Sequence, residues 1–136
     1  SNNERFIEVN LTGGVLPMDK LFDGEFRLLE VLWEVETPVN STRLVALCKE
    51  RLGWTKSTTY TVLRKLCQKG AAKNENAQVT PLLTRTQAIQ AQSEELLSRA
   101  GYLPLLFTAF LSGRKLTLQE AEELKRLIDE SQEGKV

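Results

Sequence analysis

The residues with the most chemistry to offer lie in one stretch, Lys56-Ser57-Thr58-Thr59-Tyr60-Thr61-Val62-Leu63-Arg64-Lys65. Read as a helix, it turns Thr59, Val62, Leu63 and Leu66 to one side. Lys56, Ser57, Thr58, Tyr60, Thr61, Arg64 and Lys65 fall on the other. That second face mixes cations, short hydroxyls and one aromatic ring. Cations neutralise phosphates, and hydroxyls reach phosphate oxygens and base edges, so the face suits a helix lying in the major groove of DNA. A face that needs only solvent is more often built from Glu and Lys. The charge pattern points the same way. Between Ser41 and Lys73 stand eight basic residues and a single acidic one, Glu50, a local charge of +7 in a chain whose net charge is zero. A basic segment beside acidic flanks indicates a polyanion partner, although charge alone fits a solvated lysine-rich surface equally well.

Other chemistries are poorly supplied. Histidine is absent, which removes the commonest general base and a common zinc ligand. Cys48 and Cys67 lack metal-ligand spacing and sit among apolar residues, so they read as two buried free thiols, with a redox switch as the lesser alternative. There is no phosphate-cradling glycine loop and no nucleophile motif. Glu122 and Glu123 read as a solvated helix face. An enzyme is therefore not expected, nor a cofactor or bound metal. No apolar run approaches the roughly 20 residues of a membrane span, and no signal-peptide pattern is present. The expectation is a cytoplasmic protein without membrane insertion.

These side chains need a scaffold to aim them. Residues 1–20 carry Gly13-Gly14 and Pro17 and read as a flexible arm or an added extension, with Met18 as an alternative start. Asp23 is the expected N-cap of a first helix, in which Phe26, Leu29, Leu32 and Trp33 recur at helical spacing to about Glu36. Thr37-Pro38 ends it. Asn40-Ser41-Thr42 is a cluster of capping residues. It opens a second helix with Leu44, Leu47, Cys48 and Leu52 inward, closed by Gly53. Trp54 reads as a core or interhelical anchor, and Thr55 as the cap of the third helix, which ends at Lys69-Gly70. Two short strands follow around an Asn-rich turn, within Lys73–Gln78 and Val79–Leu83. Pro81 should confine the second of them to an edge or a bulge. Helix, turn, helix and hairpin in this order describe a winged helix-turn-helix domain over residues 21–84, and place Lys73 and Asn76 on the wing as further candidate DNA contacts.

Residues 85–136 read as helical. Thr84 and Gln87 form a capping box for a mostly polar fourth helix to about Arg99. Tyr102–Leu111 is too apolar to lie exposed alone and too short to span a bilayer. Thr117 and Glu120 open a last helix carrying Ala121, Leu124, Leu127 and Ile128. Two apolar helices with little spare core to cover them favour a two-fold dimer, in which one patch covers itself. The expected dimerisation residues are Leu103, Leu106, Phe107, Phe110, Leu111, Leu124, Leu127 and Ile128; the alternative is that both helices fold back on their own domain. The fold class is thus mostly α with a small β-wing.

Several segments, taken in order, carry a family resemblance: Phe22-Asp23-Gly24-Glu25-Phe26, Val31-Leu32-Trp33, Gly53-Trp54-Thr55 running on through Leu66, Lys69-Gly70, and Leu118-Gln119-Glu120-Ala121-Glu122-Glu123-Leu124. Together the chain resembles the penicillinase and methicillin-resistance repressor family, which also includes copper-responsive repressors. The resemblance implies a cytoplasmic homodimer that binds an inverted-repeat operator and blocks transcription of antibiotic-resistance or stress genes. The third helix and wing would contact DNA, and the C-terminal helices would form the dimer. It also implies a membrane-bound sensor-protease pathway that cleaves antibiotic-responsive members in the dimerisation region. Three positions depart from the family pattern. The cleaved Asn-Phe bond aligns with Ala109-Phe110, no cysteine follows Cys67 where the copper-responsive branch carries pairs, and Lys56 stands where several relatives have proline. The competing reading is a winged-helix protein-interaction module, since fold does not fix function; the +7 segment and the hydroxyl-rich third helix argue against it.

Overall fold

The computed structural model describes residues 20–135. The expectation for the arm falls on residues outside that range, except for Lys20. The chain divides into two compact units at Arg99/Ala100. The first contains α1 (Asp23–Trp33), β1 (Val39–Asn40), α2 (Ser41–Leu52), α3 (Lys56–Gln68), β2 (Ala72–Glu75), β3 (Gln78–Pro81) and nearly all of α4 (Arg85–Ala100). The second contains α5 (Leu103–Leu111) and α6 (Leu118–Gln132). This is the mostly helical winged architecture expected, with a small antiparallel sheet.

One face of each of α1, α2 and α3 meets in the core. Leu28, Leu29 and Leu32 from α1, Leu44 and Cys48 from α2, Thr59 and Leu66 from α3, and Val79 from the sheet are essentially inaccessible to solvent. A fully buried leucine contributes about 1.5–3 kcal/mol, so these few side chains supply much of what holds the three helices together. Thr59 is the polar member of the set, and its hydroxyl donates to the Thr55 carbonyl one turn earlier, at 3.0 Å. Ala88 of α4 is also fully buried, so by packing the start of α4 belongs to this core. The expected division after residue 84 does not coincide with the packing boundary at Arg99/Ala100. Trp33 fixes the junction: its indole N–H donates to the Leu83 carbonyl at 2.8 Å, Phe26 meets its ring edge-on, and the Arg85 guanidinium lies 4.8 Å above it.

Three local expectations need correction. Asp23 is not the N-cap of α1; Phe22 is, and Asp23 is the first helical residue. The reason lies in Glu25, whose carboxylate accepts the Phe22 N–H at 2.7 Å and leaves Asp23 to pair with Arg27 at 2.8 Å. α1 also stops at Trp33 rather than near Glu36, because Val39 and Asn40 are drawn into the sheet and the chain needs the intervening residues to reach it. Lastly, the strand bearing Pro81 is the central one, in the order β1-β3-β2. The proline is tolerated because β1 pairs only with Gln78 and Val79, so β3 has outrun that neighbour by residue 81. On the other side Pro81 lies opposite Ala72, and the ladder continues through Leu82 N–H to the Ala71 carbonyl at 2.8 Å.

The hairpin closes through Asn76 and Ala77, both with positive φ (53° and 62°). Two such residues between paired strands make a type I′ turn, whose twist matches that of the strands. Asn accepts this conformation readily; alanine does so at a steric cost.

In the second unit, Thr117 and Glu120 form the expected capping box, with the hydroxyl and carboxylate each accepting one backbone N–H at 3.0 Å. Neither α5 nor α6 contains a buried residue. Leu103, Leu105, Phe107, Phe110, Leu111, Leu127 and Ile128 are each at least two-fifths exposed.

Candidate nucleic-acid interface

The turn between α2 and α3 sets how the third helix is presented. Gly53 takes a left-handed conformation (φ 70°), which glycine adopts without strain, and its N–H closes on the Lys49 carbonyl at 3.1 Å. Trp54 follows and packs against the core. Thr55 then caps α3 by accepting the Thr58 N–H at 3.1 Å, while its own hydroxyl donates to that of Thr58 at 3.0 Å. The α2–turn–α3 unit is therefore fixed at its corner by backbone bonds and a side-chain cap, and α3 is anchored below by Thr59, Leu63 and Leu66.

Opposite that anchor, Lys56, Ser57, Thr58, Arg64 and Lys65 are exposed. Thr61 is half-buried. Tyr60 is half-buried too, and its hydroxyl donates to Ser41 Oγ at 3.2 Å, so it points along the protein rather than straight out. Lys73 and Asn76 are exposed on the hairpin. The hairpin is tied back to the helices by β1, and by the Ser41 N–H, which donates to the Ala77 carbonyl at 2.8 Å. The candidate residues of α3 and the wing thus occupy one unit, while the eight candidate dimerisation residues occupy the other.

Electrostatics sharpen the picture. Of the eight cations between Ser41 and Lys73, three are engaged internally: Lys69 with Glu25 at 2.6 Å, Arg51 with Glu34 at 2.7 Å and Lys73 with Glu75 at 3.9 Å. Among the described residues, Arg43, Lys49, Lys56, Arg64 and Lys65 have no carboxylate within ion-pair distance. The Lys73 pair is long and exposed, so it is worth little and opens readily to a stronger anion. Lys69 is different. It is mostly buried, bonds to Glu25 and to the Lys20 carbonyl, and lies over the Phe22 ring. It serves the fold. Arg43 and Lys49, both on α2, do not stand out in the sequence; only the lack of a carboxylate beside them among the described residues brings them forward.

A family model for penicillinase repressors matches residues 23–130, most of the chain and of each unit. The chain belongs to the penicillinase repressor family. A search of curated proteins returned no match. This family is one of DNA-binding transcriptional repressors rather than enzymes, which gives the exposed face of α3 and the hairpin their context.

In this repressor both cysteines are free, Cys48 buried and Cys67 half-buried. Burial pushes both thiols above the usual range; for Cys48 this outweighs the opposing influence of the Thr59 hydrogen bond and the Arg51 charge. A raised thiol is a poor thiolate and a poor metal ligand or nucleophile at neutral pH. Among the described residues no helix is long and apolar enough to cross a membrane, and no group of three or more Cys, Asp or Glu side chains is arranged to hold a metal ion.

Proposed function

We propose that this repressor acts as a homodimer on an inverted-repeat operator in the cytoplasm. Each protomer lays α3 in a major groove, with the two recognition helices about one helical turn apart. Lys56, Arg64, Lys65 and Lys73 neutralise phosphates, while Ser57, Thr58 and Thr61 approach base edges and Asn76 carries the wing tip to the flanking groove. Repression follows by occlusion of the promoter. The genes controlled are those of antibiotic resistance or stress response, in keeping with the family.

The observation that carries the dimer is the second unit itself. A pair of helices that buries none of its residues, yet presents Leu103, Phe107, Phe110, Leu111, Leu127 and Ile128 to solvent, leaves an apolar surface that a second copy covers. Leu106 and Leu124, half-buried already, lie beside that surface. Induction acts on the same place. Two half-sites held as one unit gain effective concentration, and separated protomers lose it. A membrane-bound sensor protease acting near Ala109-Phe110 would achieve this, with a sequence preference altered by the alanine.

A footprint of the purified protein on its own upstream DNA, repeated over several salt concentrations, tests the proposal. Protection of an inverted repeat, weakening steeply as salt rises, is the expected result. No protection at low salt would overturn it.

A further inference from the structure

Ser41 touches both elements assigned to DNA. Its N–H donates to the Ala77 carbonyl at the wing tip, at 2.8 Å, and its Oγ accepts the Tyr60 hydroxyl of α3, at 3.2 Å. The residue is buried, and the two residues before it form β1, in register with the wing through Val39 opposite Val79 and Asn40 opposite Gln78. The wing is therefore held by the strand leading into Ser41, and α3 is held by the side chain of the same residue. Tyr60 is held on its other side as well, because its ring packs against the hydrophobic core.

This geometry bears on what Tyr60 can do. A phenol has one hydrogen to donate. The two hydroxyls satisfy one another, so the bond holds the phenol oxygen against Ser41 whichever of them supplies the hydrogen. The Ser41–Tyr60 bond fixes the distance between two surfaces that meet the duplex in different grooves. Base and phosphate contacts demand positions accurate to a fraction of an ångström, and a slack joint between helix and wing costs affinity for the operator even when every contacting side chain is intact.

We infer that Ser41 and Tyr60 are positioning residues that set the spacing between recognition helix and wing, and that Tyr60 acts through Ser41 rather than on DNA. The inference rests on the proposal that α3 and the hairpin both contact the operator.

The test compares the full-length protein with Tyr60→Phe, Ser41→Ala and the double variant on the fragment that the unsubstituted protein protects. Tyr60→Phe keeps the ring and its packing, and thermal melts recorded alongside identify the temperature range in which every variant is folded. Within that range each single variant is expected to bind the operator about fivefold more weakly, the scale of one neutral hydrogen bond. The double variant should lose no more than either single one, because both remove the same bond. Affinity for unrelated DNA should not move, and backbone cleavage should show the wing's protections weakening while those over the α3 groove persist. A merely structural role predicts unchanged operator preference in folded protein. Full affinity in Ser41→Ala with a loss in Tyr60→Phe would show that Tyr60 touches DNA and overturn the inference, as would additive losses, a loss shared equally by unrelated DNA, or wild-type binding in all three variants. Failure of the unsubstituted protein to protect any DNA would overturn the parent proposal, a separate outcome seen before any variant is made.

Discussion

The Lys69 ammonium lies 2.6 Å from Glu25 Oε1, with the two side chains only 14% and 3% exposed. The same carboxylate oxygen accepts the Phe22 N–H that begins α1, while Oε2 is buried without a hydrogen-bond partner among the described residues. One buried ion pair thereby joins the start of α1 to the C-terminal end of α3. Removing one partner from such a pair strands a charge, at a cost of roughly 3–5 kcal/mol. Lys69→Met should lower unfolding stability by that order in urea melts. The double variant Glu25→Gln, Lys69→Met should recover most of the loss, since the amide oxygen can still accept the Phe22 N–H. A single variant as stable as the parent would show that the pair contributes little.

At the wing tip, Ala77 holds a φ of 62°. A left-handed residue with a Cβ costs about 1–2 kcal/mol, and glycine gives back part of that in chain entropy. Ala77→Gly should therefore stabilise the first unit by roughly 0.5–1 kcal/mol. The Ser41 bond uses the Ala77 backbone carbonyl, which the substitution retains. Thermal or urea melts read the change directly, and a destabilised variant would mean that the Ala77 methyl makes an interaction worth more than the strain.

Much of this molecule is legible in its sequence because the signals are local. Thr55, Asn40, Thr84 and Thr117 cap the helices that their spacing indicates. Gly53 ends α2, and the leucines at helical spacing form the core. The errors arise where a distant residue competes with a local rule. Asp23 is a good capping residue, but Glu25, drawn inward by Lys69 from 44 positions away, takes the bond that marks the helix start. Pro81 reads as an edge residue because strand order is set by β1, a two-residue strand too short to show in any periodicity. At the interface, residue types locate the basic helix but not which cations the fold consumes. Lys69 lies in the basic run, and only its partner separates it from Lys65. Ser41 reads as one capping candidate among three, and nothing in its neighbours in sequence announces Tyr60.

The α6 cap gives a pH-dependent signature. The Thr117 backbone N–H, then the Thr117 hydroxyl, hold the Glu120 carboxyl below its ordinary value of 4.5. A carboxylate whose pKa is depressed by folding contributes stability that is present above the unfolded value and lost as pH falls through the folded one. The amide signals of Thr117 and Glu120 in an NMR titration should thus move with a midpoint below the ordinary carboxyl value of 4.5. Glu120→Gln retains the acceptor and should abolish that acid step. A titration midpoint at or above the ordinary value would show that the box does not persist in solution.

Arg64 is exposed on α3 and has no carboxylate partner among the described residues. If it neutralises a phosphate, Arg64→Ala should weaken binding to operator and unrelated DNA alike. It should also reduce the slope of log affinity against log salt by about one unit for each phosphate that Arg64 neutralises. Because the side chain is exposed, stability should stay within about 0.5 kcal/mol of the parent. A variant that keeps the parental salt slope would place Arg64 away from the phosphates.

The dimer proposal turns on side chains that the protomer alone does not need. Ile128 is 66% exposed on α6, and aspartate is compatible with an exposed helical position. Within a lone protomer, Ile128→Asp should therefore leave helicity and melting nearly unchanged. Across a two-fold interface the same change buries a carboxylate near its symmetry mate, where neither has a partner, and such a charge is expensive to desolvate. The expected result in sedimentation equilibrium is a dimer dissociation constant raised by about tenfold or more, equivalent to at least 1.4 kcal/mol. Operator binding should weaken in parallel, and half-site binding should be spared, because the recognition helices are untouched. A dimer as tight as the parent, with helicity intact, would move the interface off this face of α6 and leave the apolar residues of α5 to account for it. A monomeric parent protein would remove the dimer altogether and require each half-site to be bound independently.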